Sequence, residues 1–232
     1  MGKIPQCILC ISLLLSFAGY PLAQAPGDLQ QAHGGPELGR AARVLIEARL
    51  EGGEPVLLKI RNDQSRLEAS QFTAISDGRL QQWWRPGSDR RSPARNAHPG
   101  LDNSLLMPFR AVLRLADDYR DRGASEGRRR FERTAERRRF LGAGPERWKV
   151  SLEFDPATGL LAGCTIEALD GASDPIVIAY SDYRQVQGIA VPFRVTRHWG
   201  DRLELGLTVE SVAFQPPLPP TDFEVELNGG QP

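Results

Sequence analysis

The feature of this sequence that most restricts its fold is an alternation of apolar and polar residues with a period of two. Residues 148–154 read WKVSLEF, the turn sequence DPATG follows at 155–159, and LLAGCTIEAL returns at 160–169. Similar short runs begin at Val44 and are separated by Gly, Asn or Asp signals, at intervals of roughly 8–12 residues. Because successive side chains of a strand point to opposite faces, this pattern predicts antiparallel strands joined in a meander.

A hairpin is predicted around Gln187-Gly188, which lies between two alternating runs and suits a two-residue turn with positive φ. Along its first arm, Ser181 and Tyr183 are expected on one face and Asp182 on the other. Ser181 and Asp182 therefore cannot act together as a nucleophile and its orienting acid, and the segment is interpreted as architecture. Pro192 in the return arm favours an edge or a bulge.

One helix is predicted among the strands, with Pro108 at its first position. Apolar residues then recur with helical spacing and form a stripe of Phe109, Val112, Leu113, Ala116 and Tyr119. A single amphipathic helix among strands must lay such a stripe on a sheet. The predicted fold class is α+β and mainly β: an antiparallel sheet with one or more helices packed on it.

The N-terminal 25 residues read as a secretory signal peptide with cleavage near Ala25, so the protein is expected to be exported to the periplasm. Its apolar run, Ile8 to Phe17, is shorter than the ~20 residues that cross a bilayer, and no stable membrane insertion is expected. Residues 26–40 are rich in Gly and Pro and predict a flexible leader. A single domain is expected over 41–227, with a frayed tail at 228–232.

Catalytic and metal sites find little support in the residue pattern. Cys7 and Cys10 lie in the signal peptide, which leaves Cys164 without a partner for a disulfide. His33, His98 and His198 are scattered, so no metal site, cofactor or catalytic residue is predicted. Residues 161–164, LAGC, imitate a lipidation box but lie far from the signal peptide, and no lipid anchor is expected.

The most charged segment is 120–139, which is weakly compatible with either a helix or a strand. Such a charge run is usually a solvated face. The alternative is a binding edge for anionic head groups or for the acidic surface of a partner, with Arg128, Arg129 and Arg130 as its contact residues. Over the whole chain, 29 basic and 29 acidic residues balance, so no nucleic-acid partner is expected.

The C-terminal motifs resemble a known family. The runs FDPATGLLAGCTIEAL at 154–169, IAYSDYRQVQGIAVPFRV at 178–195 and VESVAFQPPLPPTDFEV at 209–225 are similar to those of LolA-like proteins, the periplasmic carriers of outer-membrane lipoproteins. The resemblance implies a curved antiparallel half-barrel sheet, an incomplete barrel, with one or more helices covering its concave face as a lid. It also implies an apolar cavity that takes acyl chains, and hence a carrier of lipid or lipidated protein that is not an enzyme.

The residues expected to line that cavity come from the helix and from the facing strands: Phe109, Val112, Leu113, Trp148, Tyr180 and Phe193. Two other functions stay open on the sequence alone. One is an envelope sensor or scaffold that binds a partner protein through the Arg-rich 120–139 segment. The other is a hydrolase with an unrecognised set of residues, for which His198 is the best candidate.

Overall fold

The computed structural model describes residues 25–62, 64–77, 80–87, 95–96, 108–125, 127–138, 145–171 and 173–225. The signal-peptide prediction and His98 lie outside these residues. Helix α1 spans Pro26–Ala32, a 3₁₀ helix spans Gly35–Ala42, helix α2 covers 108–113 and helix α3 spans Leu115–Asp118. None of the helices in the described ranges is long and apolar enough to cross a membrane.

Thirteen strands form one antiparallel sheet in the described part of the chain. They are β1 (Arg43–Leu50), β2 (Pro55–Arg61), β3 (Gln64–Ala69), β4 (Thr73–Ser76), β5 (Leu80–Trp84), β6 (Arg95–Asn96), β7 (Arg120–Ser125), β8 (Arg128–Arg138), β9 (Pro145–Phe154), β10 (Leu161–Ala168), β11 (Ile176–Val186), β12 (Ile189–Trp199) and β13 (Arg202–Phe214).

Almost every strand pairs with its neighbour in sequence, as expected for a meander. The exception joins the two halves of the chain, because β1 pairs with β13, with Val44 opposite Phe214. The described sheet therefore runs from β6 at one edge through β1 and β13 to β7 at the other. The predicted fold class is confirmed: this is a mainly-β, curved antiparallel half-barrel with a few helices.

One face of the sheet, here called the inner face, carries the core. Alternate residues of each strand point to it, so that Val44, Leu58, Leu152 and Val195 are almost completely buried in one apolar cluster. Register shifts occur within the β1–β13, β9–β10, β12–β13 and β7–β8 pairs. Because a bulge bends its strand and increases the local twist, these shifts help to curve the sheet around the core.

The prediction of a flexible leader at 26–40 is wrong, because this segment forms α1 and most of the 3₁₀ helix. Leu29 and Leu38 are fully buried in the core cluster. Gly34 joins the two helices at φ 124°, and a Cβ there would lie 2.7 Å from the carbonyl oxygen of Gly188. This glycine is needed for close packing against the β11–β12 hairpin, and the predicted domain start at 41 is too late.

The predicted helical stripe is correct at three positions and wrong at two. Phe109, Val112 and Tyr119 are buried as expected, but Leu113 is 41% exposed, Ala116 is exposed, and Leu115 is fully buried instead. Arg114, with φ −105° and ψ 13°, interrupts the helix between α2 and α3. The buried side chains of the two short helices consequently follow Val112, Leu115 and Tyr119.

The strongest local predictions concern the hairpins. Gln187 and Gly188 form the predicted two-residue turn, with φ 50° and 83°, between paired Val186 and Ile189. Pro192 lies beyond Arg194, where the ladder between β12 and β13 begins, so its missing N–H costs no bond on that side. Residues 120–125 and 128–138, ambiguous in sequence, form the paired strands β7 and β8.

Tyr183 departs from the predicted alternation. Asp182 has φ 52°, a left-handed conformation that interrupts the strand pattern. Tyr183 packs against the core cluster, whereas Ser181 and Val177 of the same predicted face are exposed.

The C-terminal segment forms a 3₁₀ helix at Pro220–Phe223 in the part of it that the structure describes. Phe223 is fully buried, and Asp222 lies 3.5 Å from Lys59 of β2. This segment therefore covers the face opposite to the inner one.

Candidate functional site

The candidate site is the apolar inner face where α2 covers it. Of the six residues predicted to line a cavity, four are buried in the core cluster, Trp148 packs against that cluster and Leu113 is exposed; the four are Phe109, Val112, Tyr180 and Phe193. The rings of Phe109 and Phe214 meet edge to face, with centroids 6.0 Å apart. Helix and sheet side chains thus pack directly on each other at this contact.

The end of α2 is bound to α1 by one side chain. Gln30 Nε2 donates to the carbonyl oxygens of Val112 at 3.1 Å and Leu113 at 3.2 Å. The last carbonyls of a helix lack partners within the helix, so Gln30 satisfies acceptors that α2 leaves open. Gln30 therefore ties the position of α2 to that of α1.

His33 connects the N-terminal helices to the sheet, although the sequence assigned it to the leader. Its ring is fully buried, its Nδ1 lies 2.8 Å from the Leu29 carbonyl oxygen, and its Nε2 accepts the backbone N–H of Leu161 at 3.1 Å. Its own carbonyl oxygen accepts the N–H of Ala190 at 3.1 Å. Since one ring nitrogen must donate and the other accept, this arrangement requires the neutral ring with its proton on Nδ1.

Burial lowers the pKa of His33 below its ordinary 6.5, and the hydrogen bond to the Leu29 carbonyl opposes this only in part. The surrounding side chains cannot stabilise an imidazolium by charge, because the ring meets Phe154 and Tyr183 edge to face at 6.0 and 6.1 Å. Tyr183 in turn donates its hydroxyl to the Leu161 carbonyl at 2.7 Å. The imidazole ring of His33 is therefore neutral at pH 7 in the folded protein.

The three arginines predicted to contact a partner are bound to acids of the same sheet. Arg128 and Arg130 reach Glu153 at 3.1 and 2.7 Å, and Arg129 forms an ion pair with Asp121. Burial alone would raise the pKa of Glu153, but the hydrogen bonds from Arg130 and Arg128 hold it below its usual value. The hydrogen bond from Arg129 likewise lowers the pKa of Asp121. These guanidinium groups therefore bind acids within strands β7 to β9. A partner protein would have to compete with Glu153 and Asp121 for them.

Cys164 lies on the inner face opposite Leu152 and Ile178, and its side chain is buried. Burial raises the pKa of its thiol to about 12. Burial also raises the pKa of Tyr119 and of Tyr180, which interact with this thiol. At neutral pH these groups stay protonated and behave as core residues.

We expect the Cys164 thiol to be inert in the folded protein, because only the thiolate attacks thiol reagents and burial also blocks access. In a chain with Cys7 and Cys10 replaced by serine, Ellman's reagent at pH 8 should label Cys164 only after unfolding in guanidinium. The control adds Ser181→Cys, an exposed position, to Cys164→Ser and should react at once without denaturant. Rapid labelling of native Cys164 would contradict its burial.

The remaining histidine candidate, His198, lies in β12 opposite Val177 and Leu203, both partly exposed side chains of the outer face. In the ranges that the structure describes, no three His, Cys, Asp or Glu side chains come together in a group that could hold a metal ion. His198 is therefore distant from the buried side chains of the inner face.

Three solved structures are similar to this chain. A LolA superfamily protein from Nitrosomonas europaea is 12% identical with TM-score 0.49, covering 88% of this chain and 97% of its own. An outer-membrane lipoprotein-sorting protein domain from Vibrio parahaemolyticus is 12% identical with TM-score 0.45, covering 78% and 87%. A DUF1329 family protein from Desulfovibrio piger is 11% identical with TM-score 0.46, covering 87% and 98%.

No family model and no curated protein matches the sequence. At such identities and TM-scores, these structures say nothing about what this chain binds, which has to be inferred from its own residues.

Proposed function

We propose that this protein is an exported, periplasmic carrier of a long acyl chain, borne by a lipid or a lipidated protein, which binds the inner face beneath α2. The observation that carries the proposal is that, in the described part of the chain, short helices cover a broad apolar sheet face and no second sheet does. The described part of α2 has six residues, 108–113. An acyl chain that displaced it would meet an apolar surface already bent around a core.

The energetics favour exchange of the helix for an acyl chain. Phe109 and Val112 of α2, and Leu115 of α3, which would move with it, are each at most 1% exposed. Burial of such side chains contributes about 1.5–3 kcal/mol each. A chain of about 15 methylene groups gains roughly 12 kcal/mol on burial. The ligand therefore offers as much apolar surface as the helix withdraws, and the surplus can offset part of the entropy lost on binding.

Gln30 makes the polar contacts that hold α2 in place over the inner face. Its two hydrogen bonds to the α2 carbonyls must break before α2 can leave the sheet, while the apolar contacts are remade by the ligand. The rate of loading should therefore depend on Gln30 more than the affinity for the acyl chain does.

Replacement of Gln30 by alanine is expected to speed uptake of a fluorescent fatty-acid analogue several-fold, because loss of hydrogen bonds of ~1 kcal/mol each lowers the cost of moving α2. Stopped-flow fluorescence measures the uptake.

Native mass spectrometry of the protein purified from envelope extracts should show added masses that match acyl species.

Gln187→Ala is the matched control, since this glutamine is exposed and pairs with Arg40 at the β11–β12 turn. It should leave uptake at the rate of the original chain. A clean protein mass from the extracts, together with no uptake by any of the three proteins, would overturn the carrier proposal.

A further inference from the structure

A polar cleft lies beside the end of α3 and strands β7 to β9. Its volume is about 320 Å³, within the lower range of small-molecule sites. Four basic and two acidic side chains line it: Arg120, Arg122, Arg133, Lys149, Asp118 and Glu132. The cleft thus carries an excess of positive charge in a protein whose total charge is balanced.

Most of the cleft lies on the outer face of the sheet. Arg120 stands opposite Glu132, and Glu132 stands opposite Ser151, while the neighbouring Phe131 and Leu152 point to the inner face. Arg133, opposite the inner-face residue Val150, also reaches the cleft, which therefore lies beside the core and mainly on the outer face. A ligand that binds here is recognised by polar contacts alone.

The two acids of the cleft are already neutralised. Glu132 accepts from Arg122 Nε at 2.8 Å and lies 3.5 Å from the Ser151 hydroxyl. Asp118 lies 3.6 Å from Arg133, whose guanidinium also stacks on the Tyr119 ring at 5.1 Å. Neither carboxylate is left to repel an incoming anion with its full charge.

One cation remains to attract an anion. The side chain of Arg120 makes no hydrogen bond or ion pair with any residue in the described part of the chain, although Glu132 is its neighbour across the ladder. Lys149 pairs with Glu167 at 2.5 Å, on the side away from β7. Arg120 stands opposite Glu132 in the ladder and Arg122 donates to the same Glu132, so both guanidinium groups lie beside this carboxylate at the cleft.

We propose that this cleft binds a phosphate group, with Arg120 as the principal contact and Arg122 and Lys149 as additional donors. Two arginine forks and an ammonium match the several oxygens and double charge of a phosphate monoester better than they match a carboxylate. The group is carried either by a lipid head group or by a free phosphate ion. This inference does not require the carrier function, because none of the residues that line the cleft belongs to the apolar core cluster.

The test is a titration of the full chain with inorganic phosphate at pH 7.5 and low ionic strength, followed by calorimetry. Arg120→Gln removes the unpaired charge and leaves the ion pairs of Arg122 and Arg133 in place. It should weaken phosphate binding about tenfold or more, since a charge-assisted hydrogen bond is lost. Arg202→Gln, at a side chain that is 77% exposed on β13, is the matched control and should change the Kd less than twofold.

A second arm separates the two sources of the phosphate. Flotation with phosphatidylcholine vesicles, with and without phosphatidic acid, should show binding that needs both phosphatidic acid and Arg120 if the source is a lipid. Phosphate binding without vesicle binding supports the same cleft with a soluble anion. Binding in neither arm, or equal weakening by Arg120→Gln and Arg202→Gln, would overturn the proposal, since the latter reports only general charge.

Discussion

Replacement of Phe154 by alanine is expected to destabilise the protein by about 3–5 kcal/mol, the usual cost of removing a buried phenyl ring. The ring is fully buried at the end of β9 and meets Phe131 and His33 edge to face, at 5.6 and 6.0 Å. Its loss would open a cavity between β8, β9 and the N-terminal helices. Urea unfolding followed by circular dichroism measures the change in free energy.

Leu203→Ala provides the control, because this side chain is 43% exposed on β13. A change of about 0.5 kcal/mol or less is expected there. If Phe154→Ala cost no more than Leu203→Ala, the junction between the N-terminal helices and the sheet would not be packed as described.

The second large effect is expected at His33. His33→Leu keeps an apolar side chain in the site but leaves the Leu161 N–H without its acceptor, at a cost of about 1–3 kcal/mol at pH 7.5. The change should also loosen α1, since the bond to the Leu29 carbonyl is lost. Native-state hydrogen exchange of the Leu161 amide should then become faster than in the unmodified protein.

His33 also predicts the pH dependence of stability. Its pKa is lowered in the folded state below the ordinary 6.5, so between these two values the unfolded chain binds a proton that the folded chain does not. The free energy of unfolding therefore rises with pH in this window. The contribution is complete above 6.5 and is lost as pH falls, by at most about 1.4 kcal/mol per pH unit.

Urea unfolding between pH 7.5 and 5 tests this slope, above the range where Asp121 and Glu153 titrate. The unmodified protein should lose stability as pH falls, and His33→Leu should show a flatter profile. His198→Gln, on the outer face, should keep the original slope. An unchanged slope in His33→Leu would assign the acid sensitivity to another group.

Strand positions and turns were predictable because they depend on neighbouring residues. The alternation at 148–154 and the turn at Gln187-Gly188 express local backbone geometry, and both are present in the structure. The C-terminal motifs likewise indicated the fold. Positive φ at a residue other than glycine has no comparable signal, so the inward turn of Tyr183 after Asp182 was missed.

The errors concern which residues are buried. Because the helix is interrupted at Arg114, Leu115 is buried against the core and Leu113 is exposed, contrary to the prediction. His33 gave no sign of its role because its partners, Leu161 and Ala190, are far away in the chain. The Arg-rich segment could be read as a charge run, but not as a hairpin whose arginines bind Glu153 and Asp121.

The sequence by itself determined a meander of antiparallel strands with a helix that must pack on it, because a period of two and turn-forming residues act over short distances. Only the tertiary structure decided that the glycine-rich N-terminal segment belongs to the core and that β1 closes against β13. Both depend on contacts between segments that are far apart in the chain. Whether a residue is buried depends on both segments of such a contact, so neither segment predicts it alone.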